Sequence, residues 1–188
     1  QINDDGVTFK SHLDGSTVQL TPARSMQVQN ELGADIIMAF DDCPPSVGES
    51  GAGELNGDTP NPIPDTRIHQ ACERSLRWLG QCVKSHQRSE DQALFGIVQG
   101  GTDLELRSWC AQRVCEHDLP GYAIGGVAVG ETFHEIRAVV EHTAPLLPVD
   151  KPRYLMGVGY ERDILAAVRS GVDMFDCVLP SRNARNGN

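Results

Sequence analysis

The chain has 188 residues, of which 39% are hydrophobic, and these values suit one globular domain with a substantial core. It has no apolar run of membrane length and no signal-peptide pattern at its N-terminus, so a soluble, cytoplasmic protein is expected. Its six cysteines form neither a CxxC motif nor a short Cys/His cluster, which argues against a zinc site or a disulfide framework in these residues.

The formal net charge is −10 at pH 7, which taken alone argues against a nucleic-acid partner. The charges are, however, unevenly distributed. The first 149 residues carry a balance of −11, whereas the residues from Asp150 onward carry +1. After Asp176 the only charged side chains are Arg182 and Arg185. A polyanionic partner is therefore expected to dock at the C-terminal end.

The first 33 residues predict an antiparallel hairpin and a helix. Apolar and polar residues alternate over residues 6–20 on either side of Asp14-Gly15, which is a strong signal for a two-residue turn. Thr21, followed by proline, has the properties of a helix N-cap, and Gly33 is a helix stop signal.

Five apolar segments downstream predict the strands of a parallel sheet, at 35–40, 94–101, 122–131, 153–159 and 172–178. Each of the first four is followed by a helical pattern, which favours right-handed βα crossovers. The first helix is predicted at 69–86. The next two are predicted to open with capping boxes at Thr102/Glu105 and Thr132/Glu135, and the fourth to end at Gly171.

This alternation predicts an α/β fold that forms part of a (β/α)8 TIM barrel, with parallel strands and a short N-terminal hairpin. A complete barrel needs about 250 residues, so residues 1–188 are interpreted as the central portion of a barrel catalytic domain. Residues 44–64 interrupt the pattern with repeated Gly and Pro and no apolar periodicity, which predicts a long flexible loop. A tolerated surface insertion is the simpler interpretation of this loop, and a lid over the site is the alternative.

The residues that close the predicted strands suggest a binding pocket. They are Asp41, Asp42, Gln99, Gly125, Gly126, Met156, Gly157 and Asp176. Because the carboxyl ends of parallel strands meet on one face of a barrel, these residues are expected to converge. Asp41 could accept hydrogen bonds from the N–H groups of guanine, and Gln99 and the Gly126 amide could donate to its O6 atom. Asp176 would then be free to attack a sugar carbon.

Five motifs follow one another in a specific order and spacing: FDDCPP, ALFGIVQGG, GYAIGGVAVGE, KPRYLMGVG and GVDMFDCVLPSRNARNG. Together they resemble the tRNA-guanine transglycosylases, also called queuine tRNA-ribosyltransferases. The match extends from GVTFKSHLDG to the last residue, apart from the 44–64 loop. The resemblance implies a pentosyltransferase that exchanges guanine at the wobble position of tRNAs with a GUN anticodon for 7-aminomethyl-7-deazaguanine, in queuosine biosynthesis.

The resemblance also implies residue roles. Asp176 corresponds to the nucleophile that forms a covalent ribosyl-enzyme, which the incoming base displaces with net retention of configuration. The residues implied to bind the base are Asp41, Cys43, Gln99, Gly126, Val127 and Met156. The residues implied to contact tRNA are Gly157, Val158, Gly159, Tyr160, Glu161, Arg162, Asp163, Ser181, Arg182, Asn183, Ala184 and Arg185.

Two positions, Cys43 and Val129, resemble the bacterial form of the family, which takes the small aminomethyl base. The Val127 carbonyl, near Glu131, would accept hydrogen bonds from the aminomethyl group.

Parts of the machinery are implied to lie outside these residues. A second catalytic aspartate, a candidate general acid/base, would precede residue 1, and a structural zinc site would follow residue 188. No metal or cofactor is expected within the chain. The expected partners are tRNA, a 7-deazaguanine base and a second copy of the full-length protein in a homodimer, with no membrane partner. The chain by itself is expected to be inactive or to fold poorly.

Three alternatives stay open. An archaeosine-type transglycosylase, which inserts a different 7-deazaguanine, is disfavoured by Cys43 and Val129. A non-catalytic tRNA-binding subunit of the same family is disfavoured by the joint presence of Asp41, Gln99 and Asp176. A metal-dependent hydrolase barrel would need histidine ligands at strand ends, whereas the six histidines fall on the predicted hairpin, on helices or at helix ends.

Overall fold

The computed structural model describes residues 1–45 and 65–187. An antiparallel sheet of three short strands is followed by a parallel sheet of five strands with helices in the connections. Residues 46–64, and with them most of the loop predicted at 44–64, lie outside the described residues.

The N-terminal sheet consists of β1 (Ile2–Asn3), β2 (Gly6–Lys10) and β3 (Thr17–Leu20). The antiparallel pairing of β2 and β3 confirms the predicted hairpin. The two-residue turn predicted at Asp14-Gly15 is wrong, because the pairing ends at Lys10 opposite Thr17 and residues 11–16 form a longer connection. The Asp14 carboxylate accepts hydrogen bonds from the backbone and the hydroxyl of Ser16, which stabilises this wider turn.

Helix α1 (Pro22–Leu32) begins and ends as its sequence signals predict. The Thr21 hydroxyl accepts a hydrogen bond from the Arg24 amide, and Gly33 closes the helix with a left-handed φ of 74°. The Gln29 side chain makes two 3.0 Å hydrogen bonds with the Met38 backbone, one as donor and one as acceptor. Helix α1 is thereby fixed against the first strand of the parallel sheet.

The parallel sheet has its strands in chain order: β4 (Ile36–Met38), β5 (Ala93–Val98), β6 (Gly121–Ile124), β7 (Arg153–Leu155) and β8 (Met174–Phe175). Every neighbouring pair is parallel. A helix in each connection completes the βα succession of a barrel. The chain therefore has an α/β fold that forms part of a (β/α)8 barrel, as its sequence predicts.

The helices after α1, among the described residues, are α2 (Asp65–Ser85), α3 (Leu104–Cys115), α4 (Phe133–Thr143), α5 (Glu161–Arg169) and α6 (Leu179–Asn186), with a 3-10 turn at Ala144–Leu146. The capping box of Thr132 and Glu135 is confirmed. The box predicted at Thr102 is wrong, because Asp103 caps α3 and its carboxylate accepts the amides of Glu105 and Leu106.

Helix α6 contains the two arginines that follow Asp176. Pro180 lies in its first turn, where the missing N–H would have no partner in the helix, so the proline does not interrupt it. Gly187 ends the helix with a left-handed φ of 71°. Arg182 and Arg185 are three residues apart on α6, and so they project from neighbouring positions of one helix face.

The core lies between the sheet and its helices, and Trp78, Tyr122 and Phe95 are among its largest buried side chains. Trp78 of α2 stacks on Phe40 with 4.8 Å between ring centroids, and its indole N–H donates to the Asp4 carbonyl at 2.8 Å. Helix α2 thereby connects the N-terminal sheet to the parallel sheet. Among the helices of the described ranges, none has both the length and the apolar character to cross a membrane.

Candidate active site

The polar residues that follow the parallel strands lie at one end of the sheet. The strands run in the same direction, so the chain leaves each of them at its carboxyl end. Asp41 follows β4, Gln99 follows β5, Gly126 follows β6 and Asp176 follows β8. This is the end at which barrels of this type hold their active sites.

Gln99 and Asp41 form the centre of this cluster. The Gln99 side chain is 2% exposed and its NH₂ group donates to the Asp41 carboxylate at 2.5 Å. Burial raises the pKa of Asp41; the Gln99 hydrogen bond opposes this shift, and the neighbouring Asp42 carboxylate adds to it. A carboxylate that has lost part of its hydration is a strong acceptor for N–H groups of a ligand, since each such bond replaces a lost contact with water.

The adjacent Asp42 has a structural role. It is 3% exposed, and its carboxylate accepts hydrogen bonds from Arg67 at 2.6 and 2.9 Å and from Arg74 at 2.6 Å. Its backbone N–H donates to the Ser75 hydroxyl at 2.9 Å. Asp42 therefore anchors the end of β4 to α2, while Asp41 is directed to Gln99.

Gly126 packs against Gln99 in a conformation that suits glycine. Its φ is +63°, and a Cβ atom at this position would overlap the Gln99 side-chain oxygen. Arg107 of α3 lies behind it, fully buried, and donates to the carbonyls of Gly125 at 2.8 Å and Gly126 at 3.0 Å. Burial lowers the pKa of Arg107 to about 10, so the guanidinium remains cationic at neutral pH.

The other residues predicted to bind the base lie around this cluster. Cys43 is exposed as a residue, but its sulfur faces Gln99 and Gly126. Burial of the thiol raises the pKa of Cys43, with a further contribution from the Asp41 charge. Val127 is buried, and the Met156 sulfur lies 3.7 Å from the position that a Cβ atom of Gly125 would take.

Glu131 shares a small cleft with Gln99 and Gly126. One oxygen of its carboxylate accepts the Val129 N–H at 2.8 Å. The other oxygen, Oε1, is buried and has no hydrogen-bond partner in the part of the chain that the structure describes. A buried acceptor without a donor is costly, so this oxygen is suited to a donor brought by a ligand.

Asp176 is exposed and held by two donors. Its Oδ1 atom accepts the Tyr154 hydroxyl at 2.6 Å and the Gly157 N–H at 2.9 Å. Burial, together with the hydrogen bond and charge of Asp176, raises the pKa of Tyr154, so the phenol stays a donor at neutral pH. Within the described residues both of these donors bind Oδ1, so Oδ2 is the oxygen available to a substrate. Met156, whose sulfur lies near Gly125, directly precedes Gly157. The end of β7 therefore connects Asp176 to the Gln99 cluster.

The comparison with known proteins covers the whole chain. The profile of the family described as queuine tRNA-ribosyltransferase matches residues 1–188. The chain belongs to this family.

Relatives with the name queuine tRNA-ribosyltransferase are about half identical to the chain. They include proteins of Synechococcus elongatus (51% identical), Nostoc sp. (52%) and Thermus thermophilus (51%), each aligned over 100% of this chain. The alignments cover 45%, 46% and 44% of these relatives, so the chain spans less than half of their length.

The two segments that the queuine tRNA-ribosyltransferase resemblance assigns to tRNA lie beside Asp176. Gly159, Tyr160 and Arg162 line a cleft together with Leu179, Pro180 and Asn183 of α6. Residues 181–185 are all exposed, and Tyr160 is 58% exposed. Val158 and Asp163 are buried, so direct contact with an RNA would fall to the exposed members of the two segments.

Sequence reasoning missed Arg107 and Tyr154. Arg107 is spaced with Cys110, Ala111 and Val114 along the buried stripe of α3, and an arginine on an apolar stripe was the signal that could have found it. The Tyr154 hydroxyl, on β7, reaches Asp176 just after the neighbouring strand β8, and nothing in the sequence marks that contact. In residues 1–45 and 65–187, His, Cys, Asp and Glu side chains form no group of three that could hold a metal ion.

Proposed function

We propose that the protein containing this chain is a tRNA-guanine transglycosylase that exchanges guanine at the wobble position of GUN-anticodon tRNAs for 7-aminomethyl-7-deazaguanine. One observation carries the proposal: at the same end of the sheet, the Gln99–Asp41 pair lies against Gly126, and Asp176 is held with one oxygen available. The first group suits a purine base, and the second suits the sugar attached to it.

The base would bind through the Gln99 cluster. Asp41 would accept hydrogen bonds from the N1–H and 2-amino groups of guanine, and the Gln99 amide and the Gly126 N–H would donate to O6. A base that fills this site also replaces water around a carboxylate whose pKa is already raised by burial.

The unpartnered Glu131 oxygen supports a base that carries an amine. An aminomethyl group is protonated at neutral pH and would donate to this oxygen and to the Val127 carbonyl. Guanine carries no such group, so this contact would favour the incoming base over the outgoing one.

Catalysis would proceed by double displacement at the ribose anomeric carbon. Oδ2 of Asp176 attacks C1′ and the C1′–N9 bond breaks, so guanine leaves with the bonding electrons and takes a proton at N9. The deprotonated N9 of the incoming base then attacks C1′ and releases the aspartate. Two inversions give retention, as in retaining glycosidases. Tyr154 and Gly157 would hold the carboxylate in position throughout. The general acid/base would come from outside these residues.

The tRNA would approach along the cleft between α5 and α6. Arg182 and Arg185 are exposed on α6, the helix that forms one side of this cleft, and arginine side chains suit contacts to phosphates and to bases. A structural zinc site, a homodimer and a cytoplasmic location are further expectations for the full-length protein.

The test is Asp176→Asn in the full-length protein. The wild type is expected to form a tRNA adduct that survives denaturing electrophoresis, and the variant to form none while its Kd for tRNA stays within about twofold. Asp173→Asn is the matched control, since Asp173 lies just before β8 at the opposite end of the sheet, where it accepts the Arg153 N–H. Formation of an adduct by Asp176→Asn would refute the assignment of Asp176 as the nucleophile. A wild type that binds tRNA without adduct or guanine exchange would support the non-catalytic subunit instead.

A further inference from the structure

Arg107 is a buried cation at the base-binding end of the sheet. It is 0% exposed, and its guanidinium donates to four backbone carbonyls: Val98 at 3.2 Å, Gly101 at 2.8 Å, Gly125 at 2.8 Å and Gly126 at 3.0 Å. All three nitrogens of the guanidinium donate hydrogen bonds, so the planar group is held along more than one edge. These carbonyls lie on the last residue of β5 and in the turns that follow β5 and β6.

The ion pairs of the described residues do not include Arg107. A fully buried charge is expensive without a counter-charge, and here carbonyl dipoles compensate it. An aliphatic side chain would fill the same space without that cost. Position 107 therefore needs the hydrogen bonds of the arginine, and not only its volume.

Arg107 fixes the orientation of the peptide unit between Gly125 and Gly126. In a trans peptide the carbonyl of one residue and the N–H of the next point in opposite directions. Because Arg107 holds the Gly125 carbonyl at 2.8 Å, the Gly126 N–H is directed away from Arg107 and into the site. In agreement with this direction, the Gly126 backbone is among the groups that act on the Cys43 thiol, where it opposes the rise in the pKa of Cys43 caused by burial.

Gly126 adds a second constraint. Its own carbonyl is also bound by Arg107, at 3.0 Å, and its φ of +63° allows both carbonyls to face one cation. Arg107 thus holds the peptide carbonyl before the Gly126 N–H and the one after it, and both contacts fix the orientation of this N–H.

We propose that Arg107 is a positioning residue for base selection: by binding the Gly125 and Gly126 carbonyls it aims the Gly126 N–H at O6 of the purine, and so selects bases that carry an oxygen at position 6. This inference rests on the proposed function. Arg107 touches neither substrate, and its effect passes through the backbone.

The experiment compares guanine with 2-aminopurine, which lacks O6 and also the N1–H group, so that only guanine can use the Gly126 N–H. Kd values for both bases, and for tRNA, are measured by calorimetry with the full-length wild type and the Arg107→Lys variant. Lysine keeps the charge but cannot span four carbonyls. Guanine affinity is expected to fall about five- to tenfold, corresponding to one misaligned hydrogen bond, while the Kd values for 2-aminopurine and tRNA stay unchanged. Arg107→Gln, which retains an amide donor, is the second variant should the lysine variant fail to fold.

Arg153→Lys is the matched control. Arg153 is also buried and also binds carbonyls, those of Leu147, Pro148 and Gly171, but it lies at the amino end of β7. Both lysine variants are expected to lower the Tm, and only Arg107→Lys to change the ratio of guanine to 2-aminopurine affinity. An equal loss for both bases, or the same change of ratio in Arg153→Lys, would overturn the inference. A wild type that binds neither base would refute the proposed function itself, and with it this inference.

Discussion

Asp41 is the residue at which stability and binding are expected to conflict. Its pKa is raised above 3.8, chiefly by burial, so the folded state binds its proton more tightly than the unfolded state does. Stability therefore falls as the pH rises from about 3.8 through the folded-state pKa. Asp41→Asn is expected to raise the Tm at pH 7 by about 2–4 °C and to leave it unchanged below pH 3.8.

Thermal unfolding of the wild type and of Asp41→Asn between pH 3.5 and pH 8 measures the difference in Tm. Calorimetry with guanine is expected to show that Asp41→Asn binds the base more weakly than the wild type. A Tm difference that does not grow with pH, or an Asn variant less stable than the wild type at pH 7, would contradict the assignment.

Tyr154 is expected to act on the rate and not on affinity. Tyr154→Phe removes the 2.6 Å hydrogen bond that holds Oδ1 of Asp176, so the carboxylate would be oriented less often for attack. The single-turnover rate of adduct formation is expected to fall about tenfold, with Kd values for tRNA and base unchanged. Tyr122→Phe serves as control, because the Tyr122 hydroxyl accepts the Leu119 N–H in the core. Equal rates in Tyr154→Phe and wild type would count against the positioning role.

At the scale of elements, the link between β4 and α2 depends on one buried carboxylate. Asp42→Asn leaves Arg67 and Arg74 without their shared counter-charge and is expected to cost about 2–4 kcal/mol in the free energy of unfolding. Asp4 is the matched control, since it also pairs with two arginines of α2, Arg74 and Arg77, but is 67% exposed. Denaturant unfolding should therefore show a large loss for Asp42→Asn and little change for Asp4→Asn; similar losses would mean that burial is not the deciding factor.

The elements themselves were largely predictable, because their signals are local. The Thr21 cap, the Gly33 stop and the five apolar strand segments act within a few residues of the chain. The errors arose where two local signals compete. Asp103 took the cap predicted for Thr102 because its carboxylate can bind two amides at once. Helix α6 was not predicted, because a proline usually interrupts a helix; Pro180 occupies the first turn, the one place where a helix accepts it.

The candidate site was predictable only in part. Residues that follow parallel strands converge for topological reasons, so Asp41, Gln99 and Asp176 could be grouped from the order of the strands. Contacts made from a helix or a neighbouring strand have no such rule. The strand pattern does not specify side-chain directions, on which the hydrogen bonds of Arg107 and Tyr154 depend. The same holds for the different contacts of Asp41, which binds Gln99, and Asp42, which binds two arginines.

For the whole molecule, the sheet has two outer strands within the described residues, β4 and β8, each with a single strand neighbour. Exposed strand edges offer unpaired N–H and C=O groups to other chains. We therefore expect the 188-residue chain, expressed by itself, to self-associate with increasing concentration, and the full-length protein to form one defined species. Light scattering across a concentration series measures this. A stable monomer of the isolated chain would show that the edges are protected.

Trp78 gives the protein an intrinsic optical signal at a useful place. Its indole ring is stacked on Phe40, the residue immediately before Asp41, and is bound through its N–H to the N-terminal segment. Trp109, the second tryptophan, lies on α3 beneath Arg113. Once Trp109 is replaced by phenylalanine, the tryptophan emission of these 188 residues comes from Trp78 alone. Ligand occupancy beside Asp41 and detachment of the first strands can then be followed in real time, without any attached dye.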